Sequence, residues 1–165
     1  MIVLTSPAGV ACSSGKTVFL EGLLAGYFIF FNNMKEKQTI TKYSQLVMPQ
    51  DSNVIGTLFG GQMVSWMDIA AAKAAHRYLR NSNADAAVTR AIDAIEFTEP
   101  VHVGDWVNFN AKIIRKGLSS IVIKVEAFKE TKNQKQKLAC AAIFTMVSVK
   151  KQGNGIYQKV EHKIN

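Results

Sequence analysis

The sequence predicts an α+β fold in which one long helix packs against a curved antiparallel sheet. Three observations indicate this fold: a long stretch without Pro or Gly, a strand-like segment before it, and four strand-like segments after it. A single helix can cover only one face of such a sheet, so two layers are expected.

The composition describes one globular domain. Apolar residues make up 48% and charged residues 19% of 165 residues, which excludes a disordered chain. A formal charge of +8 predicts attraction to a polyanion, and nucleic acid, anionic membrane and a phosphorylated small molecule all qualify. Cys12 and Cys140 lack C-x-x-C spacing, which favours a reducing, cytoplasmic setting, and Cys140 is expected to be a core thiol.

Residues 1–33 differ from the rest, and each functional interpretation of them meets an obstacle. Gly9 to Thr17 resembles a phosphate loop, but five residues instead of four separate its glycines. The apolar run from Val18 to Phe31 is too short to span a membrane, and two asparagines follow it where a signal peptide has small residues. We therefore expect a poorly ordered or partner-packed extension, with Met34 as an alternative start.

The elements follow in order from Thr39. Thr39 to Met48 is a predicted strand, ended by Pro49, which cannot donate to a sheet ladder. Asp51 to Gly56 is turn-like, and Gln62 to Arg80 is a predicted helix of about five turns. Asn81 to Asp85 ends that helix.

Four predicted strands complete the domain, and a polar, basic tail is predicted for Gln152 to Asn165. The strands are Ala87 to Phe97, Trp106 to Arg115, Ile121 to Lys129 and Leu138 to Val149. In the second of them, one face is expected to hold Val107, Phe109, Ala111 and Ile113.

Asp68 is the anomaly of the predicted helix. Six apolar residues recur at spacings of three and four and predict a buried face: Met63, Trp66, Met67, Ala70, Ala71 and Ala74. Asp68 is the only charged residue between Val54 and Ala72. A carboxylate in such surroundings is costly unless it is hydrogen-bonded or solvated in a cleft. It is either a residue on a solvated helix edge or a catalytic candidate.

Gly60 and Gly61 stand at the predicted helix start, where backbone N–H groups lack intrahelical partners. Such groups can stabilise the oxyanion that forms on an attacked carbonyl, a contribution of about 3 kcal/mol per donor. Gly61 and Asp68 share a helix face but lie about 10 Å apart along the axis. Either the substrate runs along the helix or a second subunit contributes, and a dimer is the natural solution.

Several spaced blocks resemble the hotdog-fold acyl-CoA thioesterases, most closely the YciA-like branch and the cytosolic acyl-CoA hydrolases. The resemblance covers about Ile40 to Val149. Its blocks are Met48 to Gly61, Trp66 to Asp68, Phe97 to Asp105, Lys116 to Ser120 and Val125-Glu126.

This resemblance implies a hotdog domain over residues 34–151, with a five-stranded antiparallel sheet around the helix. It further implies edge-to-edge dimers, often assembled into trimers of dimers and hence hexamers, with active sites at the dimer interface. The family's catalytic Asn and Asp correspond to Asn53 and Asp68, which would meet across that interface. Whether Asp68 acts as general base or as nucleophile stays open.

The resemblance also gives the positive charge a use, because coenzyme A carries a pyrophosphate and a 3′-phosphate. The predicted coenzyme A ligands are Arg115, Lys116, Gly117, Ser119 and Ser120. No metal is expected, since His76, His102 and His162 lack ligand spacing, and no cofactor beyond the coenzyme A of the substrate.

Three other functions have requirements that can be compared with the sequence. A non-catalytic acyl-CoA sensor on the same fold would need no carboxylate at Asp68, and a hydratase would need a catalytic histidine near the helix. Nucleic-acid binding would need aromatic residues interleaved with the cations on one strand face. The predicted partners are therefore a small acyl-CoA molecule and further copies of the chain, with neither nucleic acid nor membrane.

Overall fold

The computed structural model describes residues 39–132, 135–153 and 155–163, so the predicted extension over residues 1–33 lies outside the described residues. The helix α1 covers Gly60–Leu79. A short 3-10 turn covers Pro49–Asp51. The strands are β1 Thr41–Leu46, β2 Ala86–Phe97, β3 Trp106–Lys116, β4 Ser120–Glu130, β5 Lys137–Lys151 and β6 Tyr157–Lys159.

The strands form one antiparallel sheet in the order β1-β3-β4-β5-β2, with β6 paired to the end of β5. The helix contacts the five longer strands. The predicted α+β hotdog architecture is therefore confirmed. In this order β1 and β2 end the five-strand path, and the outer edge of β2 faces no other described strand.

The core lies between α1 and the concave face of the sheet. All six residues of the predicted helix face are buried, as are Val107, Phe109 and Ala111 on β3, while Ile113 is partly buried. The Trp66 ring meets the Phe109 ring edge to face, with 6.3 Å between centroids. Burying such aromatic and aliphatic groups supplies the main stabilisation of the fold, at roughly 25 cal/mol per Å² of apolar surface.

The segment that leads into α1 is tied to the loop before β3. The Val47 N–H donates to the Asp105 carbonyl over 3.0 Å, and the Gly104 N–H donates back to Val47 over 2.9 Å. The buried Asp105 carboxylate accepts the His102 N–H at 3.0 Å and the Thr131 hydroxyl at 2.8 Å. These bonds fix the geometry of the loop before β3.

The C-terminal segment departs from the prediction of a simple tail. Tyr157–Lys159 forms β6, which pairs with Val149, Lys150 and Lys151 of β5. Three exposed residues carry no apolar alternation, so sequence gives this strand no signal. Within the described part of the chain, no helix has the length and apolar character to cross a membrane.

Candidate active site

The first turn of α1 presents the two predicted glycines. The first intrahelical bonds run from the N–H groups of Gln62 and Met63 to the Phe59 carbonyl, so those of Gly60 and Gly61 precede the helical ladder. A Cβ on Gly61 would lie 2.6 Å from Cε1 of Phe59, so a larger residue there would require the exposed Phe59 ring to shift. The N–H groups therefore stand at the positive end of the helix dipole.

Asp68 lies partly exposed in the middle of α1, and its Oδ1 accepts a hydrogen bond from the Thr89 hydroxyl. Thr89 is on β2, where the register with β5 shifts between Thr89 and Ala91. Such a bulge re-aims side chains on the strand. Sequence reasoning found Asp68 but missed Thr89, because one threonine in a strand has no distinguishing pattern.

Asn53 organises the loop before the helix. Its Oδ1 accepts the N–H groups of Ile55 at 3.1 Å and Thr57 at 3.2 Å, and its Nδ2 donates to the Thr57 hydroxyl at 2.9 Å. Gly56 closes this turn with a φ of +78°, a conformation that favours glycine. An amide has two N–H bonds and the loop uses one of them, so the second remains available for a ligand.

A cavity of about 230 Å³ lies next to the helix start. It is lined by Thr57, Leu58, Met63, Phe97, Thr98, Glu99, Pro100 and Val101. The Phe97 ring also approaches Gly60, whose ideal Cβ position is 3.5 Å from Cζ of the ring. Phe97 therefore adjoins both Gly60 and the cavity.

One wall of the cavity is held by an ion pair from the sheet. The Lys129 ammonium on β4 donates to Glu99 at 3.0 Å and to the Pro100 carbonyl at 2.9 Å. The bond and the positive charge of Lys129 lower the pKa of Glu99, with Lys137 contributing further. Glu99 is consequently ionised and engaged at neutral pH, so it serves the loop and is a poor candidate for a general acid.

The predicted coenzyme A turn joins β3 to β4 at the other end of the helix. The Gly117 N–H donates to the Ser120 carbonyl over 2.7 Å, and a Cβ on Gly117 would lie 2.5 Å from the Ser120 hydroxyl. Arg115 and Lys116 are exposed, and the Lys116 ammonium lies 5.0 Å above the centre of the Tyr78 ring. Ser119 is buried.

Exposure or chemistry argues against the other candidate catalytic groups. Ser65, His76 and Arg77 are exposed on α1, as predicted for the last two. Cys140 is buried in the core as predicted, and burial raises the pKa of its thiol to about 11, so it is not a nucleophile at neutral pH. No group of three or more possible metal ligands occurs among the described residues.

The structure thus brings some predicted site residues together and keeps others apart. Gly60 and Gly61 begin the helix, Gly60 lies beside the Phe97 ring that lines the cavity, and Asp68 is held by Thr89. Asn53 and Asp68 share no hydrogen bond within the described part of a single chain.

Comparisons with known proteins agree on one family. The model of the thioesterase superfamily matches residues 55–135. Acyl-CoA thioester hydrolase YciA of Escherichia coli is 34% identical over 113 residues, which cover 66% of this chain and 82% of YciA. The hexameric thioesterase y2039 of Yersinia pestis superposes with a TM-score of 0.64 at 32% identity, covering 75% of this chain and 96% of y2039.

An acyl-CoA hydrolase of Staphylococcus aureus, solved with butyryl-CoA, coenzyme A and coenzyme A disulfide, superposes with a TM-score of 0.63 at 27% identity. The match covers 74% of this chain and 71% of that one. Variants of that enzyme with alanine in place of an asparagine, an aspartate or a threonine have also been solved.

Proposed function

The chain belongs to the thioesterase superfamily, and on that premise we propose that it hydrolyses acyl-coenzyme A thioesters to a free acid and coenzyme A. The observation that carries the proposal is the Asp68 carboxylate, which the Thr89 hydroxyl orients in the middle of the helix that begins with Gly60 and Gly61. The relatives that are named acyl-CoA hydrolases support the same substrate class.

Asp68 supplies the reacting carboxylate. With Oδ1 held by Thr89, the second oxygen either takes a proton from the attacking water or attacks the thioester carbon itself. In the first route the thiolate of coenzyme A leaves directly. In the second the thiolate leaves as an acyl anhydride forms on Asp68, and water then hydrolyses the anhydride to the free acid.

The N–H groups of Gly60 and Gly61 hold the carbonyl oxygen as it becomes an oxyanion. They fit this role because they precede the helical ladder and stand at its positive end. Gly61 and Asp68 of one chain lie about 10 Å apart along the helix. The Gly61 and the Asp68 that act on the same thioester therefore come from two different subunits.

Asn53 acts across the same interface. Its loop bonds fix the amide and leave one N–H, which would donate to the thioester or the water beside Asp68 of the partner subunit. In the Staphylococcus aureus enzyme, the substituted asparagine and aspartate are separated by the same number of residues as Asn53 and Asp68. That spacing supports the pairing of these two residues.

The dimer forms through β2. Its outer edge faces no strand within the described chain, and three large apolar side chains on it are exposed: Val88, Ile95 and Phe97. An exposed edge of this kind is a template for pairing with another strand. Pairing of β2 with its symmetry mate would join the two sheets and place two helices side by side, and three such dimers would make a hexamer.

The acyl chain enters the cavity beside Phe97. At about 230 Å³ the cavity is smaller than the roughly 300–1,000 Å³ of typical sites for drug-sized ligands. Short acyl chains therefore fit it best. The nucleotide lies at the Lys116–Ser120 turn, where the side chains of Arg115, Lys116 and Ser120 and the backbone N–H of buried Ser119 meet the phosphates and Gly117 allows the tight turn.

Release of free thiol from a panel of acyl-CoA esters tests the proposal. The wild-type chain should release thiol, and Asp68→Asn should lower kcat by at least about a thousandfold while the oligomer stays intact. Ser65→Ala, an exposed position on the same helix, is the control that should keep full activity. Full activity of Asp68→Asn would disprove the assignment, and binding without hydrolysis by the wild type would indicate an acyl-CoA sensor.

A further inference from the structure

The C-terminal segment Ile156–Lys163, named here the C-terminal strap, runs along three parts of the domain. It first pairs with the end of β5 as β6. The Val160 N–H then donates to the Ser148 carbonyl at 3.0 Å, and the His162 N–H donates to the Leu118 carbonyl at 2.9 Å. At its end, the Lys163 N–H donates to Oδ1 of Asn83, in the loop after α1, at 2.8 Å.

His162 is the centre of the contacts between the strap and the Lys116–Ser120 turn. Its Nδ1 lies 3.2 Å from the Ser148 hydroxyl, and its Nε2 lies 3.5 Å from the Tyr78 hydroxyl. Its ring meets the Tyr78 ring edge to face, with 5.4 Å between centroids. The Lys116 ammonium lies on the same Tyr78 ring, so His162 reaches this cation through one intermediate side chain.

Ser148 on β5 contacts both the strap and the turn. It is fully buried, and its hydroxyl lies 2.7 Å from the Val160 carbonyl and 3.2 Å from the Ser119 carbonyl. Its N–H donates to the same Ser119 carbonyl at 2.9 Å. A hydroxyl has one proton to give and can also accept, so the Nδ1–H tautomer of His162 completes the network.

These bonds set the direction of the turn's peptide groups. In a trans peptide the C=O and the following N–H point in opposite directions. Because the Leu118 carbonyl points to His162, the Ser119 N–H points away from the strap. The strap therefore fixes both a backbone donor and, through Tyr78, the Lys116 cation of the turn.

We propose that the C-terminal strap, through His162, positions the Lys116–Ser120 turn to bind the phosphates of coenzyme A. This inference rests on the proposed function for the role of the turn. His162 is a positioning residue that touches no reacting atom. Its backbone N–H holds Leu118, and its side chain holds Ser148 and Tyr78, the two contacts that a substitution removes. Losing it would free the turn and weaken binding of the nucleotide half of the substrate alone.

The test compares acyl-CoA with the matching acyl-pantetheine, which has the same thioester and lacks the nucleotide. His162→Ala should raise KM for acyl-CoA about tenfold, the effect of losing one or two hydrogen bonds of the usual strength. It should leave kcat and the KM for acyl-pantetheine unchanged. His162→Asn, whose amide can replace Nδ1–H toward Ser148, should restore most of the affinity, and Gln158→Ala on exposed β6 is the control.

Equal rises of KM for both thioesters, or no change for either, would overturn the proposal. Calorimetric binding of coenzyme A and of pantetheine separates it from the proposed function. If the wild type hydrolyses nothing but His162→Ala still loses affinity for coenzyme A and not for pantetheine, the strap keeps its role and the thioesterase assignment fails. Should His162→Ala not fold, His162→Gln, which lacks the Nδ1 position, takes its place and must show the same selective loss.

Discussion

At the scale of single residues, the hydrogen bond between Thr89 and Asp68 is the contact that most directly shapes the proposed chemistry. A hydroxyl on one carboxylate oxygen fixes the plane of the group and so the direction of the other oxygen. The bond joins a helix residue to a strand residue far away in the sequence. Tertiary structure alone places the two together, and this explains why Asp68 was identified from the sequence and Thr89 was not.

Thr89→Val should lower kcat by roughly 10- to 100-fold, because a hydrogen bond to a charged group contributes about 1.5–3 kcal/mol. Thr89→Ser keeps the hydroxyl and should retain most of the activity. Steady-state kinetics of the two variants on one acyl-CoA ester checks this. Equal kcat for Thr89→Val and wild type would mean that the hydroxyl has no part in catalysis.

His162 gives the strap a predictable pH dependence. Burial lowers the pKa of His162 from its ordinary value of 6.5, so the folded protein binds fewer protons here than the unfolded chain. The neutral ring therefore stabilises the folded protein fully above pH 6.5, and this stabilisation is lost as the pH falls below 6.5. The titratable group in contact with the His162 ring is Tyr78, and the Lys116 ammonium lies 5.0 Å from the centre of the Tyr78 ring.

The Tm difference between wild type and His162→Asn should therefore narrow as the pH is lowered from about 7.5 to about 5.5. Differential scanning calorimetry at several pH values measures it. Gln158→Ala should show no such trend. A Tm difference that is the same at every pH would mean that protonation of His162 does not act on the strap.

At the scale of secondary-structure elements, the helix and five strands could be predicted because each is long and periodic. The predicted helix Gln62 to Arg80 and the observed Gly60–Leu79 differ by two residues at one end and one at the other. By contrast, the three residues of β6 form a strand only because they pair with the end of β5. Local pattern determines the former, and long-range pairing the latter.

Phe97 at the end of β2 should limit the length of the acyl chain. Its ring lines the cavity and is about half exposed, so Phe97→Ala widens the cavity without emptying the core. The variant should shift the highest kcat/KM toward longer chains, while Phe97→Leu shifts it less. A panel of acyl-CoA esters measures the shift, and an unchanged order of preference would place the acyl chain elsewhere.

The outer edge of β2 should carry the dimer. Ile95→Lys introduces a charge on this exposed edge, and edge lysines oppose strand pairing. Sedimentation should show dissociation and activity should be lost together. Ile40→Lys, an exposed apolar position just before β1 at the opposite edge of the sheet, is the matched control and should leave the dimer intact. If the Ile95→Lys variant is still a dimer, β2 does not form the interface.

At the scale of the whole molecule, one chain contains every predicted site residue but does not bring Asn53 and Asp68 together, so the proposed function needs a second subunit. Asn53 is engaged in its own loop, and the helix separates Gly61 from Asp68. The sequence indicates this through the seven-residue spacing, since a helix converts spacing into distance. It could not indicate the partner geometry, because an interface depends on shape that no local pattern encodes.

The most direct test of a site shared between subunits is to mix two inactive variants. Asn53→Ala and Asp68→Asn protomers, once exchanged, form hybrid dimers in which one of two sites has both native residues. Random exchange should then restore about a quarter of the wild-type rate of thiol release, as a two-fold symmetric interface requires. No recovery after exchange has been verified by mass spectrometry would contradict the account.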